Sequence, residues 1–439
     1  MHGRMRPRIA RAFAALVGAM AVARAAISQE AVVPVAPAPS AAVAVTWHNR
    51  IASISRARCA RCHHEGGAGP FALLTPDDFS GAATMISEAV ASGIMPPWVA
   101  SSASGPFRYD GSLRPDEKQD LLAWLKAGCP IGVATAPEIP FVPQGGWGIG
   151  EPDLVVTIPD AVTIPPSGVV DYLKVSAPTG LDHVAWVQAI QILCEHPTVC
   201  HHVLARVSYP GTAHQEFIDF YLPGSVPTVY PDGMAMMLRP GAVIEFDLHY
   251  TPDGLAHRER TSIGFKFAKG PPQQRVRCRI LDLGGKLSIP PGAPNHEVSY
   301  EFRFPADTHI RRLTPHMHLR GKSARVELVA PDGAVTTPLE LPQWLPDWQF
   351  SYEFMEPLFI PKGTLIRGIH VFDNSKANPF NPDPTARVRN GPQIWDEMAG
   401  VFIEMFSPVD SPLVPIAERD RVGGEATGGG STGGEGDGR

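Results

Sequence analysis

The sequence lacks the features that would hold a nucleic acid or cross a membrane in its mature part. It carries 38 Lys and Arg against 44 Asp and Glu, for a formal net charge of −6. Past the N-terminus these basic residues form no cluster, so the electrostatic footprint of a nucleic-acid partner is missing. Beyond the N-terminal run no segment reaches the 18 or more apolar residues of a membrane span. Long helical patterns are scarce, and cysteine is sparse at six residues in 439. What is present is globular in character: 44% hydrophobic residues, 19% charged, and as many as 46 Pro and 42 Gly. That composition fits many turns between short strands, and the length calls for two or three domains.

The first residues place Arg4, Arg6, Arg8 and Arg11 ahead of the apolar run Ala12 to Ala23, with Ala23-Arg24-Ala25 as a small-x-small cleavage site. This is the layout of a secretory signal peptide over 1–25. The alternative, an uncleaved anchor helix, is disfavoured by an apolar run of about a dozen residues, short for a span. The expected location is therefore outside the cytoplasm, periplasmic or secreted. Residues 26–46, rich in Ala, Val, Pro and Ser, read as an extended linker. The Gly-rich end over 416–439 cannot bury a core and reads as a disordered tail.

The first folded unit, 47–133, centres on Cys59-Ala60-Arg61-Cys62-His63. Two thiols at C-x-x-C spacing can form thioethers to haem while the adjacent histidine binds the iron, and export puts the chain where c-type haem is attached. A thioredoxin-like pair is the alternative, without a βαβ pattern around it. Met95, in Gly93-Ile94-Met95-Pro96-Pro97-Trp98, is the candidate for the opposite iron ligand. The spacing predicts a helix capped by Thr75 and ended by Gly93, which leaves Met95 in a loop stiffened by two prolines. Met85, inside that helix, is the other candidate and is expected in the core. A last helix runs from Pro115 to Lys126, with Gly128 at its end. Short helices around one C-x-x-C-H resemble a small cytochrome c domain. His64 is expected to face solvent.

After a Pro- and Gly-rich linker at 134–152 the period changes. Asp153 to Ile158, Val169 to Val175, Val184 to Ile192, Val243 to Tyr250 and Thr261 to Phe267 are strand-like runs between turn residues. The texture continues through Glu297 to Phe304, His309 to Leu313, Ala324 to Val329 and Thr364 to Phe372. The expectation is two antiparallel, jelly-roll-like β-sandwiches, 153–282 and 283–415, behind the small all-α domain.

Within these runs lie two histidine constellations. If 310–320 is a strand, alternation puts His316 and His318 on one face, where two imidazoles can meet one metal ion. A third ligand from Cys, Asp or Glu would suit zinc, whereas the thioether of Met398, in Trp395-Asp396-Glu397-Met398, points to copper. The other set is His201 and His202, in Cys200-His201-His202, with His249 in Asp247-Leu248-His249-Tyr250. Neighbours on a regular strand point to opposite faces, so His201 and His202 can share a metal only at a bulge or strand end. Three neutral imidazoles suit copper or zinc equally.

The order His-His, His-Tyr, His-x-His, Asp-Glu-Met over about 153–410 resembles the copper type II, ascorbate-dependent monooxygenases, the group of peptidylglycine α-hydroxylating monooxygenase and dopamine β-hydroxylase. The resemblance implies two β-sandwiches facing across a cleft, each holding one copper. His201, His202 and His249 would then hold the electron-transfer copper, and His316, His318 and Met398 the copper at which O2 reacts. It further implies hydroxylation of a small-molecule substrate with O2 and ascorbate; the one covalent haem c expected from the C-x-x-C-H motif, or a redox partner protein, is the other expected source of electrons. Where the peptide-amidating members have Arg before the His-x-His and Asn and Tyr after the Met, this chain has Thr314, Gly400 and Phe402. A glycine-extended peptide is therefore not the expected substrate. Those relatives are rich in disulfides; here only Cys129, Cys194, Cys200 and Cys278 remain beside the haem motif. Cys194 and Cys200 could close a short loop that positions His201, and His196 in that loop is expected to have a surface role. A non-enzymatic exported copper-binding or electron-transfer protein is the rival reading, and structural zinc a third.

Overall fold

The computed structural model describes residues 44–135, 146–212 and 215–411. The leader expected over 1–25, the start of the first linker, the middle of the second and the tail at 416–439 lie outside them. Among the described residues no helix is long and apolar enough to cross a membrane.

Apart from one short turn at Gly284–Lys286, the helices of the described residues all lie between 47 and 126. A π-helical turn at Trp47–Ile51, capped by the Thr46 hydroxyl, leads into Ala52–Arg58. Thr75 caps the next helix, its side chain accepting from Asp78 N–H while the Asp78 carboxylate accepts from Thr75 N–H. That helix is shorter than expected, Pro76–Gly81, and restarts as Ala83–Ser92 before Gly93 ends it at φ +80°. Met85, expected in the core, is 53% exposed, because the restarted helix buries Ile86 and Val90 instead. Pro115–Lys126 follows as expected. Trp47, Phe79 and Trp124 pack together at the centre of this cluster, with ring centroids 5.5 to 6.0 Å apart.

The rest is β-sheet. Leu154–Thr157, Ser262–Phe267, Ala185–Leu193, Met234–Leu238, Gln274–Asp282, Gly400–Pro408, Thr308–His316 and Tyr352–Ile360 follow one another in that order across one sheet, and a ninth, Thr228–Val229, pairs with Ala185–Leu193. A four-stranded sheet of Leu173–Pro178, Val243–Tyr250, Cys200–Ser208 and Gln215–Tyr221 encloses one core with the first half of the large sheet. A second, of His296–Arg303, Leu365–Phe372, Gly321–Val329 and Val335–Leu341, encloses another with the second half. Two layered β cores are thus present, but they share a sheet.

The boundary drawn at 282/283 falls at the end of the joining strand. Gln274–Asp282 pairs antiparallel with Gly400–Pro408 over its whole length, and its first three residues pair parallel with Met234–Met236. That parallel join departs from the all-antiparallel expectation. The separate all-α cytochrome c domain expected over 47–133 is not evident: Trp98 and Phe107 pack into the second core against Tyr352, 5.0 and 5.3 Å between ring centroids.

A buried ion network lies where Thr308–His316 meets its neighbours. The register slips between Ile310 and Arg312, so two consecutive arginines reach one carboxylate. Arg312 Nη2 donates to Glu404 Oε2 at 2.6 Å and to Asp219 Oδ1 at 3.2 Å, and Arg311 Nη1 donates to Glu404 Oε1. Replacing Glu404 by Ala leaves two guanidiniums buried with reduced compensation, an expected loss of about 3–5 kcal/mol. Urea unfolding should show a lowered midpoint, and an unchanged midpoint would contradict the role assigned to this carboxylate.

Candidate metal centres

The three-histidine site follows from strand alternation and one irregularity. Along Val243–Tyr250 the buried residues are Ile244, Phe246, Leu248 and Tyr250, so His249 faces away from the first core. Opposite it, Cys200 pairs with Tyr250 and His202 with His249, and the register shifts between Cys200 and His202. His201 is the residue left over, so the bulge demanded by two adjacent ligands is present. Cys194 and Cys200 are disulfide-bonded, closing the short loop that enters the bulge.

His201, His202 and His249 each offer one ring nitrogen within 4.8 Å of the others. His201 Nδ1 lies 3.0 Å from His202 Nδ1, while His201 Nε2 is 3.3 Å from Asp347 Oδ1. His202 Nε2 and His249 Nδ1 are buried without a hydrogen-bond partner, a state that a bound cation would relieve. Tyr172 stacks on His249 at 4.3 Å. Burial, reinforced by the neighbouring imidazoles, holds His202 well below the ordinary histidine range and His249 at about 3. Both are therefore neutral, the form that binds a metal.

The second pair is arranged differently from the sequence expectation. The strand stops at His316, and His318 lies two residues beyond it, with Met317 buried in the second core between them. The two rings nevertheless meet edge to face, centroids 5.1 Å apart. His316 Nδ1 is 2.6 Å from Gln349 Oε1, and His318 Nδ1 is 3.3 Å from the Asp396 carbonyl. Each ring then has its Nε2 left for a ligand. Burial lowers His316 to about 4 and His318 to about 3.

Met398 is half-buried and tied to this pair through its neighbour. The buried Glu397 carboxylate accepts the N–H groups of His318 (2.8 Å) and Met398 (3.1 Å) on Oε2, and that of Arg320 (2.6 Å) on Oε1. Burial raises Glu397 to about 8 against the pull of these three donors. Sequence reasoning singled out the Asp-Glu-Met triplet but assigned Glu397 no role. Asp347, Gln349 and Tyr172 were missed altogether, because a single polar residue in an irregular loop has no periodicity to betray it.

In the C-x-x-C-H segment Cys59 and Cys62 are free thiols, and burial pushes Cys59 up to about 12. His63 Nδ1 is 3.0 Å from the Phe71 carbonyl, which leaves its Nε2 as the available nitrogen. A Cβ on Gly69 would meet the His63 ring at 2.7 Å, so that glycine is what admits the imidazole. Met95 is tied by its N–H to the Ala89 carbonyl (3.1 Å), near the end of Ala83–Ser92. His64, expected in solvent, is half-buried, its Nδ1 2.8 Å from the Ala60 carbonyl. His196 packs its ring on His257 at 4.7 Å.

No family model matches the chain, and no curated protein matches it. Among solved structures it is similar to the major capsid protein P2 of bacteriophage PM2, with 11% identity over 58% of this chain and 97% of that one, at a TM-score of 0.30. Allantoicase overlaps 48% of this chain and 81% of its own at 11% identity and a TM-score of 0.15. The VP2 subviral particle of infectious bursal disease virus overlaps 58% of this chain and 70% of its own at 14% identity and a TM-score of 0.17. Overlaps this slight carry no argument about function.

Two outcomes follow from the geometry. Glu397→Gln keeps the volume but one acceptor oxygen, and should weaken metal binding at the His316/His318 pair by about 10–100-fold while sparing the three-histidine site. Competition with a chromophoric chelator reads this, and equal weakening of both sites would contradict it. The metal-free protein should also lose stability as pH falls through the ordinary histidine range near 6.5. The unfolded chain takes protons there that the folded imidazoles refuse until about 3–4, roughly 2 kcal/mol by pH 5 for each fully buried ring. Urea midpoints at about pH 7.5 and about pH 5, either side of that range, test it.

Proposed function

We propose that the chain is an exported dicopper monooxygenase carrying one covalent haem c, which hydroxylates a C–H bond of a small substrate with O2 and electrons from ascorbate, the haem, or both. The observation that carries the reading is a pair of histidine clusters in which burial holds His202, His249, His316 and His318 below the ordinary histidine range. One is all-nitrogen and closed by three imidazoles. The other sets two imidazoles beside the turn that carries Met398, whose thioether would complete a soft set with room for a further ligand. The overall balance is R–H + O2 + 2 e⁻ + 2 H⁺ → R–OH + H2O.

Copper, when bound, supplies the one-electron steps and the O2 chemistry. The chain's own part is to hold the ligands neutral, aim them and shape the substrate space. His201, His202 and His249 would hold one ion; His316, His318 and Met398 would hold the other. Cys59, Cys62 and His63 would hold haem, with Met95 as candidate for the opposite ligand. Beside His316 the packing is apolar: the Phe402 ring centroid lies 6.0 Å from that of His316 and 4.3 Å from that of Phe217, in a buried cluster with Leu204, Phe220 and Leu222. Thr314 is hydrogen-bonded to Ser351, and Arg312 is committed to Glu404 and Asp219. The side chains packed beside His316 thus include no uncommitted cation among the described residues, which favours an apolar C–H donor.

The haem motif abuts the three-histidine half. A Cβ built on Gly224 would sit 2.5 Å from Cys62 Sγ. Gly224 lies in the turn after Gln215–Tyr221, where Tyr221 pairs with Val203, the residue after His202. The Phe220 ring is 5.8 Å from the His202 ring. This contact supports delivery of single electrons from the haem edge to the three-histidine site.

The test is rapid mixing of copper-loaded, haem-reduced protein with O2. Haem absorbance should return to the oxidised form only when copper is present, and His202→Ala should abolish that return. Met398→Ala should leave the first electron transfer intact and lower sustained O2 uptake at least about tenfold, as loss of a ligand exceeds loss of an outer partner. Haem that stays reduced with copper and O2 present would contradict the electron route, and O2 uptake indifferent to Met398 would contradict the oxygenase.

A further inference from the structure

One loop touches both histidine sites. It runs from the end of Val335–Leu341, the edge of the second four-stranded sheet, to the start of Tyr352–Ile360, the edge of the large sheet. Its two buried anchors are on the His316/His318 side. Trp344 Nε1 donates to the His318 carbonyl at 3.0 Å, and its ring fits against Gly321, where a Cβ would collide with it. Gln349 Oε1 faces His316 Nδ1 at 2.6 Å while its Nε2 donates to the Pro346 carbonyl at 3.3 Å, which fixes the amide orientation. Between the anchors, Trp348 N–H donates to the Leu345 carbonyl, tightening the turn. At the tip, Asp347 reaches the other site, its Oδ1 3.3 Å from His201 Nε2, with the Asp347 side chain 66% exposed.

We propose that the segment Trp344–Gln349 is a strap that couples the two sites, so that a metal ion held by His201, His202 and His249 raises the affinity of the His316/His318/Met398 site. The inference rests on the reading of both clusters as metal sites. Its physical basis is the chain of contacts. A cation on the other nitrogen of His201 makes Nε2–H a stronger donor to a carboxylate. The Asp347 contact, 3.3 Å with an exposed carboxylate, would then shorten and order the strap. An ordered strap holds Gln349 on His316 Nδ1 and so presents Nε2 in a fixed direction, with less conformational entropy left to lose when the second ion binds. Coupling between equilibrium affinities is reciprocal, so an ion at the second site tightens the first to the same degree. Asp347 and Gln349 are positioning residues in this scheme; neither is assigned as a ligand.

The experiment titrates the full-length, haem-bearing protein with Cu(I) against a chromophoric chelator. It compares the wild type, His202→Ala, Asp347→Asn and the double variant. Emptying the first site by His202→Ala should weaken the second by about fivefold or more in the wild-type background. In the Asp347→Asn background the same substitution should change second-site affinity by less than about twofold, because the link is already cut. Asp347 is exposed, so its Asn variant is expected to fold, and a merely structural role would shift both backgrounds alike. Gln349→Leu cuts the strap at its other end and should likewise remove the difference. Second-site affinity that ignores His202→Ala, or responds equally in both backgrounds, overturns the coupling. A wild type that binds fewer than two copper equivalents overturns the metal-site reading and this inference with it.

Discussion

The antiparallel pairing of Thr308–His316 with Gly400–Pro408 is the constraint on which the rest depends. Some eighty residues separate the two strands in sequence, and their register sets Gly400 opposite His316. That pairing brings the Glu397-Met398 turn beside His318, where the Glu397 carboxylate collects amides from both segments. Further along the same pair, Glu404 faces the Arg311–Arg312 bulge and gathers two guanidiniums. A slip of one residue would turn His316 into the wrong layer and leave these charges unmatched, so the register is specified at both ends.

Irregularity is what turns regular sheets into sites here. Strand alternation alone sends His249 away from the first core, but it cannot send both His201 and His202 with it. The extra residue at His201 does so, and the disulfide-closed loop entering at Cys200 limits how the chain can arrive there. At the other centre the strand simply ends: His316 is its last residue, Met317 turns into the core, and His318 is held by hydrogen bonds from elsewhere. Desolvation holds His202, His249, His316 and His318 below the ordinary histidine range, and His201, His316 and His318 each set one ring nitrogen against a carboxylate, amide or carbonyl.

Much of this was legible in the sequence where a local rule governs. Thr75, Gly93 and Gly128 mark helix ends because capping and left-handed backbone are local matters, and Val243 to Tyr250 alternates cleanly because one face is buried. The adjacency of His201 and His202 by itself required a bulge. Long-range pairing was not legible. Nothing near Gln274 announces that it pairs parallel with Met234, or that one sheet would serve both cores. Met85 was misplaced because a hydrophobic residue in a helix is core only if its face is, and the break at Ala82 rotates that face. Trp98 and Phe107 were assigned to the helical region, yet their rings find a larger apolar partner in the second core. Asp347 and Gln349 lie in an irregular loop whose meaning comes only from what the fold brings to it.

On the proposed reading, two different ligand sets hold two copper ions. X-ray absorption at the copper edge on the reduced, haem-bearing protein, with elemental analysis of the same sample, tests it most directly. Two coppers per chain are expected, one with nitrogen neighbours only and one whose spectrum contains a sulfur scatterer. Zinc in place of copper, or a copper spectrum without sulfur, would contradict it.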